Sequence, residues 1–98
     1  MVREVIWPKT VQNQLAKAYE YILTDSFQNA EKVKQDILKS THKLMFSPEI
    51  YPPDKYRKNN DGSFRAYEFH HYRISYQITE KQIIIVRIRH TKMEPRLY

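Results

Sequence analysis

The chain has 98 residues, enough for one hydrophobic core and too few for two, because either half alone falls below the size that usually folds without disulfides or metals. Hydrophobic residues make up 41% and charged residues 29%, with a single glycine, which points to a globular protein rather than a disordered or fibrous one. There is no cysteine, which excludes a disulfide scaffold, a thiol nucleophile and any zinc site built on sulfur. The first residues lack the apolar run of a signal peptide, and no stretch of about 18 apolar residues occurs, so the expectation is a cytoplasmic protein with no membrane role.

The 17 basic and 11 acidic residues leave a net charge of +6, unevenly spread. Residues 1–49 carry seven basic and six acidic side chains, a net of +1, and residues 50–98 carry ten and five, a net of +5. The second half should therefore attract a polyanion such as RNA or DNA, an acidic protein partner or an anionic membrane surface.

In chain order, Val2, Val5, Ile6 and Trp7 form a short apolar stretch closed by Pro8, which suits a first strand because proline cannot donate to a continuing ladder. The period then becomes helical. Val11, Leu15, Ala18 and Ile22 make one apolar stripe of a helix over Lys9–Leu23, and Asp25 and Ser26 end it and offer a cap for the next. Ala30, Val33, Ile37, Thr41 and Leu44 repeat the stripe until Ser47 and Pro48 stop it. Two helices joined by so short a turn lie antiparallel, and their common stripe requires a sheet to cover. Residues 47–62, with three prolines and the only glycine, read as a connecting loop. Residues 64–69, 72–79 and 83–91 read as strands, the last two joined by a hairpin loop at Glu80, Lys81 and Gln82. The fold class is α+β: an N-terminal strand and an antiparallel helical hairpin packed on one face of a mostly antiparallel twisted sheet. The whole of residues 1–98 forms one domain.

Alternation in the last two strands sets an expected register. Pairing the apolar faces puts Ile78 with Ile84, Tyr76 with Val86 and Ile74 with Ile88, and turns Ile83, Ile85, Arg87 and Arg89 away from the helices. Arg73 then falls opposite Arg89, and Ser75 opposite Arg87. Like charges so opposed cost up to about 1 kcal/mol, a sign that a shared anion would reverse. With Arg65 on the neighbouring strand, the helix-free face would present a phosphate-binding patch of Arg65, Arg73, Arg87 and Arg89, since guanidinium groups bind phosphate oxygens in bidentate fashion. Alternatively these arginines spread into solvent or pair with Glu68, Glu94 and acidic loop residues.

The histidines suggest no metal, because adjacent His70 and His71 point to opposite faces of a strand and no carboxylate has ligand-like spacing. His90 reads either as a satisfied histidine at the core margin or as a proton-transfer group. Tyrosines interleaved with basic residues resemble a base-stacking surface, although Tyr19 and Tyr76 are better read as packing. No cofactor motif is present.

The order strand, helical hairpin, three antiparallel strands, together with AYEYILTDSFQNAEKVKQDI, YRISYQITEKQIIIVRIRHT and the closing KMEPRLY, resembles the RelE/ParE superfamily of toxins from bacterial type II toxin–antitoxin systems over essentially the whole chain. The resemblance implies a growth-inhibiting protein held inactive by a cognate antitoxin, and the +5 half is then expected to be covered by an antitoxin segment that is acidic or that lays an amphipathic helix or an added strand on it. RelE-like members act at the ribosome and cut messenger RNA; ParE-like members poison DNA gyrase and have no nuclease activity. Residue by residue, Arg73 matches the phosphate-contacting arginine of the family's YRI motif, and Arg65 lies near its basic residues on the preceding strand. Lys92 approaches a second catalytic basic position, Tyr98 a tyrosine that stacks on or activates the substrate nucleotide, and His90 a histidine common in ParE-like members. If the protein is a metal-independent ribonuclease, Arg73 and Arg89 would stabilise the transition state and His90, Lys92 or Tyr98 would move the proton. The arginine cluster leans the sequence reading toward messenger RNA on the ribosome, with gyrase as the alternative and an inactive relative kept as a binding module as a third reading.

Overall fold

The computed structural model describes residues 2–93 and 96–98. Its elements are β1 (Glu4–Ile6), α1 (Lys9–Leu23), α2 (Phe27–Lys43), β2 (Phe64–Phe69), β3 (Tyr72–Ile78) and β4 (Gln82–His90). They form the expected α+β arrangement, with both helices at their expected places. Pro8 starts α1, its carbonyl accepting from the Val11 and Gln12 amides, and the Ser26 hydroxyl caps α2 by accepting from the Asn29 amide at 3.1 Å. His42 and Lys43 in the last turn of α2 face the negative end of its dipole.

The sheet has the order β1-β4-β3-β2, antiparallel except for the parallel pair β1 and β4. Val11, Ala18, Val33, Ile37 and Leu44 of the helical side close over Tyr67, Tyr72, Ile74, Tyr76, Ile83, Ile85 and Ile88 of the sheet in one core. The Tyr67 hydroxyl bonds to Ser40 of α2 at 2.6 Å, so its polar end is satisfied inside that core.

The β3–β4 register holds for half its length and then shifts. Arg73 lies opposite Arg89, Ile74 opposite Ile88 and Ser75 opposite Arg87, but Tyr76 faces Ile85 and Ile78 faces Ile83. Val86 is the extra residue of a β-bulge. A bulge reverses the face assignment beyond it: Ile83 and Ile85, expected on the helix-free face, are fully buried against the helices, and Ile84 and Val86 are only half-buried. Strict alternation could not reveal this, because all four residues from Ile83 to Val86 are β-branched and apolar.

His70 and His71 form the tight turn between β2 and β3 rather than part of a strand, with φ of 52° and 67°. Left-handed backbone at both central positions is what a two-residue hairpin turn requires, and it favours Asn and Gly over histidine. His70 is tied down by a 2.7 Å bond between its Nε2 and Asp36 of α2. His71→Gly is therefore expected to raise stability by about 0.5–1 kcal/mol in thermal or urea unfolding. An unchanged or lower stability would show that the His71 contacts outweigh the strain.

Candidate functional site

The face of the sheet turned away from the helices is not bare. The loop at residues 48–62 folds back along β2 and across this face. The Asp54 amide donates to the Phe64 carbonyl at 2.8 Å, and Asn60 spans the loop by donating to the carbonyls of Asp54 and Phe64 while accepting from the amides of Gly62 and Phe64. Gly62, with φ of 97°, supplies the left-handed turn that returns the chain into β2. Residues 96–98 lie against the same loop: the Tyr98 amide donates to the Tyr56 carbonyl at 3.0 Å, and the Lys58 amide to the Tyr98 carbonyl at 2.9 Å. This cover explains why Ser75, between two core-facing residues, is fully buried as well.

At the centre stands Asp54, whose side chain has no solvent exposure. Its carboxylate accepts from Arg73 Nη2 at 2.9 Å, from the Tyr98 hydroxyl at 2.5 Å and from the Tyr56 amide at 3.1 Å. Burial pushes the Asp54 carboxyl up, but the bonds from Tyr98, Arg73 and the Tyr56 amide together outweigh it and hold the group below the usual carboxylate range. Burial, reinforced by the bond to Asp54, pushes the Tyr98 phenol up to about 12. Arg73 also reaches Glu68 at 3.3 Å and lies over the Tyr56 ring. The Arg87 guanidinium stacks on Tyr98 at 4.0 Å from the ring centre and donates to the Arg96 carbonyl at 3.0 Å. Burial draws its pKa down. Among the described residues Arg73 Nε is buried without a hydrogen bond, and the buried Ser75 hydroxyl lies beside the Asp54 carboxylate and the Tyr98 hydroxyl and helps draw both pKa values down.

The structure thus unites Arg73, Arg87 and Tyr98, keeps Arg89 on the same face opposite Arg73, and separates Arg65, His90 and Lys92 from them. Arg65 lies opposite Tyr76 and shares its face with Tyr67, so it is on the helix side of the sheet, contrary to the expected patch of four. There it braces the loop, donating Nε to the Gly62 carbonyl at 3.1 Å and Nη1 to the Tyr51 carbonyl at 2.8 Å. The reason is the pleat: Arg65 and Tyr67 are two residues apart and must share a face. His90 is likewise on the helix side, opposite buried Tyr72, with Tyr21 at its edge and its Nδ1 accepting from the Lys92 amide at 3.0 Å. Lys92 is exposed in the turn after β4. Arg89 lies opposite Arg73 in the ladder, and beside it His90 and Lys92 line a groove of about 430 Å³ with Tyr21 and Ala18 of α1.

The expected pairing of the arginines with acidic groups holds for Glu68 and for one loop residue, Asp54; Glu94 lies outside the described residues. Asp54 was not singled out by the sequence. Its signal was indirect: two arginines facing each other across strands call for a counter-charge, and the loop beside them offers Asp54 and Asp61. Among the described residues no three His, Asp or Glu side chains come together as a metal site, and no helix is long and apolar enough to cross a membrane.

The same architecture is found in a solved structure described as the chromosomal ParDE toxin–antitoxin system from P. aeruginosa. The match has a TM-score of 0.72 and 18% sequence identity, and covers 93% of this chain and 98% of that one. No curated protein matches the sequence. Residues 5–95 match the ParE_toxin family, described as ParE toxin of type II toxin-antitoxin system, parDE. The chain belongs to that family, a toxin of the RelE/ParE superfamily whose partner is a cognate antitoxin.

Proposed function

We propose that this toxin inhibits DNA gyrase by binding, as ParE-like members do, and cuts no RNA. Family membership over residues 5–95 supports the ParE side of the superfamily. The observation that carries the reading is the dispersal of the groups that phosphodiester cleavage would require. Cleavage needs a cation for the developing charge and a proton-transfer group poised near neutral pH within reach of the same phosphate. Arg73 is engaged by Asp54 and Glu68, and Arg87 by Tyr98 and the Arg96 carbonyl. Asp54 titrates below the ordinary carboxylate range and Tyr98 near 12, so neither exchanges a proton readily at neutral pH. His90, the one imidazole among the expected catalytic groups, lies on the opposite side of the sheet from Arg73.

Arg65, Arg73 and Arg87, which favour messenger RNA when the sequence is read alone, are each engaged within the fold. Induction in cells separates the two targets. The expected outcome is accumulation of double-strand DNA breaks with continued translation in the first minutes. Prompt loss of translation with intact chromosomes would overturn the proposal.

A further inference from the structure

The way Tyr98 is held has the form of a ligand in a binding site. Its ring lies against the Arg87 guanidinium on one side and meets the Phe64 ring edge-on, with centroids 6.4 Å apart and planes at 90°. Arg57 extends the wall, 3.9 Å from the Phe64 ring and 5.1 Å from that of Tyr98. The hydroxyl ends on the fully buried Asp54 carboxylate, an acceptor that rewards a donor and rejects a plain phenyl ring, since a buried carboxylate stripped of a partner is costly. Beside the pocket the turn at residues 56–58 makes two main-chain bonds to Tyr98, one accepted by the Tyr56 carbonyl and one donated by the Lys58 amide, so an extended peptide can be held there by its backbone as well as its side chain.

The segment that fills this pocket is poorly matched to its surroundings. Leu97 is 60% exposed, and Arg96 is exposed as well, so apart from Tyr98 the segment has no apolar anchor. Arg96 adds a cation to a rim that already carries Arg57 and Arg87. At the floor, Arg73 Nε is buried with no hydrogen bond among the described residues. A segment held by one side chain and a few backbone bonds opens locally at small cost.

We propose that this pocket recognises a tyrosine within an extended, acidic segment of a partner polypeptide, and that Tyr98 occupies it in cis until such a segment displaces residues 96–98. Acidic neighbours of the incoming tyrosine would meet the cationic rim that Arg96 does not suit. The ring would reproduce the Arg87 and Phe64 contacts and the hydroxyl the bond to Asp54.

The test uses the whole chain carrying Tyr98→Ala, which vacates the pocket, and short probes followed by NMR shifts at the Tyr56, Lys58 and Phe64 amides. Acetyl-Glu-Leu-Tyr-amide should bind there, and more tightly than acetyl-Arg-Leu-Tyr-amide. Loss of the hydroxyl in acetyl-Glu-Leu-Phe-amide should weaken binding roughly tenfold, the cost of one buried hydrogen bond to a charged group. On the unaltered protein the same tyrosine peptide should bind more weakly, because Tyr98 competes. Equal affinity of the phenylalanine and tyrosine peptides, or no shift at these amides, would overturn the proposal. Preferential binding of guanosine monophosphate would make the pocket a nucleobase site instead. Where Tyr98→Ala does not fold, Tyr98→Phe keeps the ring and frees the carboxylate. There the tyrosine peptide must displace residues 96–98 at lower concentration than in the unaltered protein, and failure to do so overturns the proposal equally.

Discussion

Arg73→Ala is expected to cost about 3–5 kcal/mol of folding stability, the range found when one partner of a buried ion pair is removed. An ordinary surface arginine would cost under about 0.5 kcal/mol. The difference lies in Asp54: its side chain is fully buried, and Arg73, with 15% of its side chain exposed, is its charged partner. Removing the guanidinium leaves a buried carboxylate with neutral donors alone, chiefly the Tyr98 hydroxyl and the Tyr56 amide, to hold it. Glu68→Ala is the internal control. Glu68 also pairs with Arg73 but its side chain is 55% exposed, so it should cost no more than about 1 kcal/mol. Urea unfolding of the two variants measures both. Arg73→Ala with unaltered stability would show that the Asp54 contact contributes nothing.

The same pair sets an acid limit. Asp54 is held below its unfolded value of about 3.9, so its contribution is fully present above that pH and is lost as the pH falls through the folded pKa. In Arg73→Ala a main force opposing burial is gone. Acid unfolding should therefore begin at higher pH in the variant than in the parent.

Tyr76→Ala is expected to be comparably damaging, at about 3–5 kcal/mol, for a different physical reason. Tyr76 is fully buried at the centre of the sheet, in edge contact with Tyr67, and its hydroxyl donates to the Pro48 carbonyl at 2.6 Å. Truncation opens a cavity beside the bulge and frees the start of the loop that carries Asp54. Tyr76→Phe isolates the hydrogen bond and should cost about 1 kcal/mol. If the two substitutions cost the same, the ring itself would not be the stabilising element, and the placement of the core would be wrong.

The helices, the strands and the core face of β3 were legible because each rests on local periodicity. The Val11–Ile22 and Ala30–Leu44 stripes survive any reasonable choice of window, and Ser26 and Pro8 mark real helix starts. The site was less legible, since its assembly depends on contacts distant in sequence. Asp54 meets Arg73 across 19 residues and Tyr98 across 44, and no spacing rule anticipates either. The bulge at Val86 was hidden by a run of apolar residues that fits both faces equally well. Arg65 shows the limit of reading charge as function: its strand partner Tyr76 places it on the helix side, where its guanidinium is taken up by backbone carbonyls.

The central claim is that this ParE-family toxin acts on gyrase without nuclease chemistry. Its most direct test combines the purified protein with DNA gyrase, ATP and relaxed plasmid, and in parallel with a reconstituted translation mixture. The account predicts stabilised gyrase–DNA cleavage complexes, seen as linear plasmid after detergent and protease, together with intact ribosome-bound message. Unimpaired supercoiling alongside message cut to 2′,3′-cyclic phosphate or 3′-phosphate ends would contradict it.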